Sequence, residues 1–192
     1  ASYSRREFET LDHQRTEALV AQFRREFAAR GEEVVRRVEG IIEAEANLRM
    51  AIELSRPQAD ASLYVNDARG LSATHHLDFL EIVSNDGKLI SSAQWPARFG
   101  YPNEWVGRQA DWKGSGAFLR REELPDSVAL ALTAVRAVRV GEKNLFFIGG
   151  LQLDKDFLGT LVLPAGTRAL LYRNLEEGFV PGALSDASGP LP

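Results

Sequence analysis

The side chains best suited to chemistry are few and scattered. His75 and His76 stand side by side close to Asp78, a grouping that invites a metal. The spacing that metal ligands need is missing, and adjacent residues on a strand point to opposite faces, so both rings would not meet one ion. His13 is alone among charged residues. Glu122-Glu123 imitates a carboxylate pair, but neighbouring acids in a loop are ordinarily solvated. Asp154 and Asp156 read better as the cap and first turn of a helix. Gly114-Ser115-Gly116 has neither a strand before it nor a helix after it, so it reads as a loop and not as a phosphate cradle. No Gly-x-Ser-x-Gly elbow, P-loop or His-Glu-x-x-His is present. Cysteine is absent, which excludes thiolate metal sites, iron–sulfur clusters and a Cys nucleophile. We expect no catalysis, no metal and no cofactor.

Binding is the better reading. Residues 94–127 form a long irregular stretch that holds every tryptophan of the chain. A connection of that length inside a compact domain usually serves function. Trp95, Arg98, Tyr101, Trp105 and Trp112 combine apolar walls with a few polar groups, as small-ligand pockets do. Arg136, on a strand, can pair with a ligand carboxylate. Tyr64 can close the pocket from the helix side. The competing role for the tryptophans is to pack the loop onto the sheet, and for the arginines to be solvated.

The composition sets the limits. The chain has 192 residues, enough for one domain with an extension. Hydrophobic residues make up 44% and charged residues 26%, values of a folded globular chain. The net charge of −4 lacks the basic surplus of a nucleic-acid binder. No run of about 18 apolar residues occurs, and the first residues do not follow a signal-peptide pattern. The sequence begins within a helical pattern and ends in a Gly/Pro-rich stretch from Val180 to Pro192. We expect it to be a piece of a longer protein, whose membrane segments would lie outside it.

The elements that must position these residues can be read in order. Residues 4–54 carry Phe8, Leu11, Leu19, Phe23, Phe27, Val34, Val38, Ile41, Leu48 and Ile52 at helical spacing. Ser4 to Glu7 fits a capping box, and Pro57 ends the run. Gly31 and Gly40 are expected to mark a bend or break. A continuous helix of this length spans roughly 75 Å, whereas a compact domain of this size is about 40 Å across, so the helix must protrude or break. Arg and Asp/Glu are mixed along it, which makes a solvated face and not a basic arm. We expect the C-terminal half of its apolar stripe to pack on its own domain. The N-terminal half, with Phe8, Leu11, Leu19 and Phe23, is expected to meet a second copy in a homodimer. Asp60 can cap a short helix over 61–69 that stops at Gly70. Residues 77–83 and 88–92 are expected to form a hairpin around Asn85-Asp86-Gly87. The second half of 128–140 and residues 145–153 form further strands, a short helix follows Asp154, and 167–172 is a last strand. Helices that mostly precede an antiparallel sheet make the fold α+β.

With a long charged N-terminal helix, a strand ending in Asn85-Asp86-Gly87 and five antiparallel strands, residues 5–173 resemble the Cache (PAS-like) extracytoplasmic sensor domains. The stretch from Gly149-Gly150-Leu151-Gln152-Leu153 to Asp154-Lys155-Asp156-Phe157-Leu158 is similar to periplasmic sensor regions of bacterial membrane histidine kinases. The resemblance implies a long N-terminal signalling and dimerisation helix (1–56), a PAS-like five-stranded sensor domain with short flanking helices (57–175), and a tail toward a second membrane span (176–192). It implies that the 94–127 connection roofs a pocket over the sheet. It further implies a periplasmic domain, without catalysis of its own, of an inner-membrane histidine kinase. A small-molecule or periplasmic-partner signal would shift the terminal segments. The same domain also suits a chemoreceptor, a diguanylate cyclase or a freestanding secreted binding protein.

Overall fold

In a computed structural model of the chain, residues 5–154 and the single positions Gly159 and Gly166 are described. Contacts group the chain into two compact units, residues 31–152 and residues 1–30 with 153–192. Three α-helices and five strands lie among the described residues: α1 (Arg5–Glu43), α2 (Glu45–Leu54), α3 (Asp67–Thr74), β1 (Phe79–Val83), β2 (Leu89–Ser92), β3 (Phe118–Glu123), β4 (Val128–Val140) and β5 (Lys143–Gln152). No described helix is long and apolar enough to cross a membrane.

The strands form one antiparallel sheet in the order β2-β1-β5-β4-β3. With the long N-terminal helix and the short flanking helices, this is the α+β fold that the residues and the resemblance led us to expect. The first hairpin turns where Asn85-Asp86-Gly87 placed it. Gly87 has φ +79°, the left-handed backbone that closes a three-residue hairpin loop, and Ser84 N–H donates to Lys88 O at 2.9 Å.

Alternation along the strands sorts the sheet into two layers. On one face, Val34, Val38 and Ile41 of α1 are fully buried at helical spacing. A Cβ placed on Gly149 of β5 would come within 2.5 Å of Val38 Cγ2, so the helix can reach the sheet only because that residue is glycine. On the opposite face Val83, Leu89, Val135, Phe146 and Ile148 form a core cluster with Val106 and Trp112 from the connection after β2. Trp105 and Phe118 pack against it.

Four expectations need correction. The long helix breaks at Ala44, whose backbone is extended (φ −70°, ψ 130°), and runs straight through Gly31 and Gly40. Gly31 marks close packing instead, against Ala117, and Gly40 lies in ordinary contact with His75. Asp60 does cap, accepting from Ser62 N–H, but it caps a single 3-10 turn, and α3 continues past Gly70. Residues 128–140 are strand throughout, and β5 passes unbroken through Gly149-Gly150. The fifth strand of the described sheet is β3, inside the stretch that reads as loop. Its Arg120-Arg121-Glu122-Glu123 has no apolar alternation, and pairing with β4 along six residues makes it a strand. The expected capping box at Ser4, the helix after Asp154 and the strand at 167–172 lie outside the described residues.

Candidate functional site

The connection from Ala93 to Ala117 crosses the face of the sheet opposite α1. Two short 3-10 turns, Pro96–Arg98 and Val106–Arg108, shape it. It is fastened locally at its start and middle. Trp95 N–H donates to Ser92 Oγ, and Asn103 Oδ1 accepts from the N–H groups of Trp105 and Val106. Between this segment, β1 and β3 lies a cavity of about 390 Å³. Glu81, Arg98, Tyr101, Trp105, Arg120 and Glu122 are among its lining residues.

Two acidic side chains form its floor. Glu81, on β1, is 9% exposed and Glu122, on β3, is 5% exposed. In a flat sheet, three strand spacings would hold β1 and β3 roughly 14 Å apart. One amide nevertheless bridges them: Gln94 Nε2 donates to Glu81 Oε1 at 3.1 Å and to Glu122 Oε1 at 2.9 Å. Gln94 is itself oriented by Leu80 N–H, which donates to its Oε1. Burial, and after it the nearby Glu122 carboxylate, push Glu81 up to about 7, against the opposing pull of Arg120 and Arg98. The Glu81 and Glu122 carboxyls share a hydrogen bond, so a proton taken up here belongs to the pair.

Each arginine lies on aromatic rings. The Arg120 guanidinium sits 4.3 Å from the Trp105 ring centre and donates to Glu122 Oε2 at 3.3 Å. Arg98 lies 5.0 Å from the Trp95 ring and 5.6 Å from that of Tyr101, with Glu123 at 3.8 Å. Stacking holds such planar cations in place and leaves their edges for hydrogen bonds. The floor is thus acidic, the walls are aromatic and cationic, and Glu81 is the buried charged group of the site that no salt bridge reaches among the described residues.

The residues proposed from sequence divide into two groups. Arg98, Tyr101 and Trp105 come together on the cavity, and Trp95 backs Arg98. Trp112 does not line it. It is buried in the core cluster, stacks on Phe118 and donates from Nε1 to Val106 O at 2.9 Å. Arg136 is also elsewhere. It emerges on the α1 side of β4, where Nε donates to Glu39 Oε1 and Nη1 to the carbonyls of Trp112 and Ser115. Tyr64 ends the 3-10 turn before α3 and does not line the cavity. Phe8 and Leu11 are exposed on α1; the side chains of Leu19 and Phe23 lie outside the described ones.

The acidic floor escapes the sequence reading. Glu122 appears there beside Glu123 as a solvated pair, but strand alternation sends Glu122 inward and Glu123 outward, and the carboxylate that faces Glu122 is Glu81. The available signal was Glu81 itself, a lone charge within the otherwise apolar run from Phe79 to Val83. His75 and His76 lie in the turn that ends α3 and not on a strand, and burial, then His76, lowers the His75 pKa.

No protein-family model matches the chain, and no curated protein matches it. Among solved structures, the chain is similar to the sensor domain of E. coli DcuS, with a TM-score of 0.48 and 11% sequence identity. The match covers 67% of this chain and 92% of that one.

Proposed function

We propose that this chain is a signal-sensing domain whose input is a small molecule bound in the cavity over the sheet. The observation that carries the reading is the cavity itself: a buried carboxyl beneath arginines that are already oriented on aromatic rings. Positioned charged groups around an open space serve recognition, and their burial has a cost that packing alone does not require. The resemblance to Cache (PAS-like) domains supports a periplasmic location between two membrane spans of a sensor histidine kinase. A homodimer through Phe8, Leu11, Leu19 and Phe23 of α1 would transmit the signal. On this reading the domain has no catalysis of its own, and its buried carboxyls serve recognition.

The coding region on both sides tests the membrane assignment. An apolar span of about 20 residues on each side, followed by a kinase domain, is the expected result. A cleavable leader and a stop codon would make this a secreted binding protein instead. Light scattering tests the dimer: a chain that stays monomeric at high concentration, unchanged when Phe8 and Leu11 become polar, would remove that part of the reading.

A further inference from the structure

We propose that the cavity takes a small organic cation, a protonated primary amine, whose nitrogen pairs with the buried Glu81 carboxyl. The proposal rests on the sensing reading and names its ligand class. It follows from how the charges of the site are distributed. Glu122 is matched by Arg120, and Glu123 by Arg98. Glu104 and Arg121 stand at the rim and are exposed to water. Glu81 remains, nine-tenths buried, hydrogen-bonded to Gln94 and to the Glu122 carboxyl, and in no salt bridge among the described residues. A buried carboxyl so placed must keep a proton or gain a cation.

An anionic ligand fits less well. Arg98 and Arg120 would have to leave Glu123 and Glu122, and the anion would then face the acidic floor. An ammonium group instead brings three N–H donors to a floor of acceptors. The Tyr101 and Trp105 rings can cover the carbon chain that follows it. Binding is then an exchange. The amine enters protonated, Glu81 ionises to pair with it, and the displaced proton passes to solvent. The groups that face Glu81 during this exchange are Glu122 and Arg120 from β3 and Arg98 from the connection.

The test uses the whole chain with n-butylamine, phenethylamine and diaminobutane, and with n-butyrate and n-butanol as shape-matched controls. Calorimetry reads binding, and a pH indicator in weakly buffered solution reads protons. We expect at least one amine to bind where butyrate and butanol do not. Near pH 7 about half a proton should leave per amine bound, falling toward zero near about pH 9. Glu81→Gln, which keeps the shape of the protonated carboxyl, should weaken the amine by about tenfold or more. Circular dichroism of the variant would show that the fold is intact. Failure of all three amines to bind the wild-type chain up to about 10 mM, or equal binding by Glu81→Gln, overturns the proposal. Butyrate or butanol binding in place of the amines, and lost in Trp105→Ala, would overturn the amine while leaving the sensing reading in force.

Discussion

Arg136 Nε donates to Glu39 Oε1 at 3.1 Å and so ties the middle of β4 to α1. The guanidinium is 5% exposed and also donates to the carbonyls of Trp112 and Ser115. One side chain therefore fastens the sheet both to the helix on one side and to the end of the cavity-forming connection. Arg136→Met should cost about 3 kcal/mol, because a buried and a half-buried carbonyl lose their donor while Glu39 can turn to water. Arg136→Lys should recover little, since an ammonium cannot reproduce the planar fork. Glu39→Gln should cost about 1 kcal/mol or less. Urea unfolding of the three variants measures the ranking, and a neutral Arg136→Met would show that the network does not hold the fold.

Arg136 also shows what the sequence could and could not reveal. Its place on a strand was readable from the β-branched residues around it. Which face it occupied was not, because an arginine in an apolar strand suits a ligand site and a structural bolt equally well. Apolar pattern disclosed α1, the first hairpin, β5 and the second half of β4, because each buries apolar side chains. It failed on β3, where charged residues alternate with charged residues and only the backbone pairing with β4 defines the strand. The floor of the cavity was hidden for the same reason: Glu81 and Glu122 are far apart in sequence, and it takes strand order and Gln94 to bring them together. Among the tryptophans, composition pointed to the segment that lines the cavity but could not separate Trp105, at the cavity, from Trp112, in the core.

The close approach of Val38 to Gly149 makes a sharper prediction about the fold. A methyl at position 149 meets Val38 Cγ2 at 2.5 Å and Leu77 Cδ1 at 3.0 Å. Val38 is fully buried and has nowhere to move. Gly149→Ala should therefore cost about 1–3 kcal/mol by overpacking. Adding Val38→Ala should return part of that loss, although Val38→Ala alone is destabilising through its cavity. A double-mutant cycle by urea unfolding reads the coupling, and strict additivity would mean that the helix and strand do not touch there.

Trp105 and Trp112 should part company under substitution. Trp112 stacks on Phe118 within the buried cluster and its Nε1 is bonded, so Trp112→Ala should cost about 3–5 kcal/mol. Trp105 is half-buried, and its ring supports Arg120 at the cavity. Trp105→Ala should cost less stability and should release Arg120 from its cation–π contact, worth about 0.5–2 kcal/mol. Thermal unfolding gives the first comparison and ligand binding the second. Equal losses of stability would place Trp105 in the core with Trp112.

The Glu81 carboxyl should make the stability of the fold depend on pH in a direction that can be worked out. Its folded pKa is raised from 4.5 to about 7, by burial first and by Glu122 second. Between those values the unfolded chain has released the proton and the folded chain still holds it. The stability contribution is therefore complete below about pH 4.5 and is lost as pH rises through about 7. The amount lost should be about 1–3 kcal/mol. His75 acts in the opposite sense, because burial lowers its pKa and favours the folded state as pH rises. The total curve thus mixes opposing slopes, and the difference between wild type and Glu81→Gln separates them. The amide keeps its hydrogen-bond partner and cannot ionise, so the variant should gain on wild type from pH 5 to about 7 and level off toward pH 8. Urea midpoints at those two limits suffice. A difference that stays constant across the range would mean that Glu81 is ionised throughout, and that the floor of the cavity tolerates its full charge.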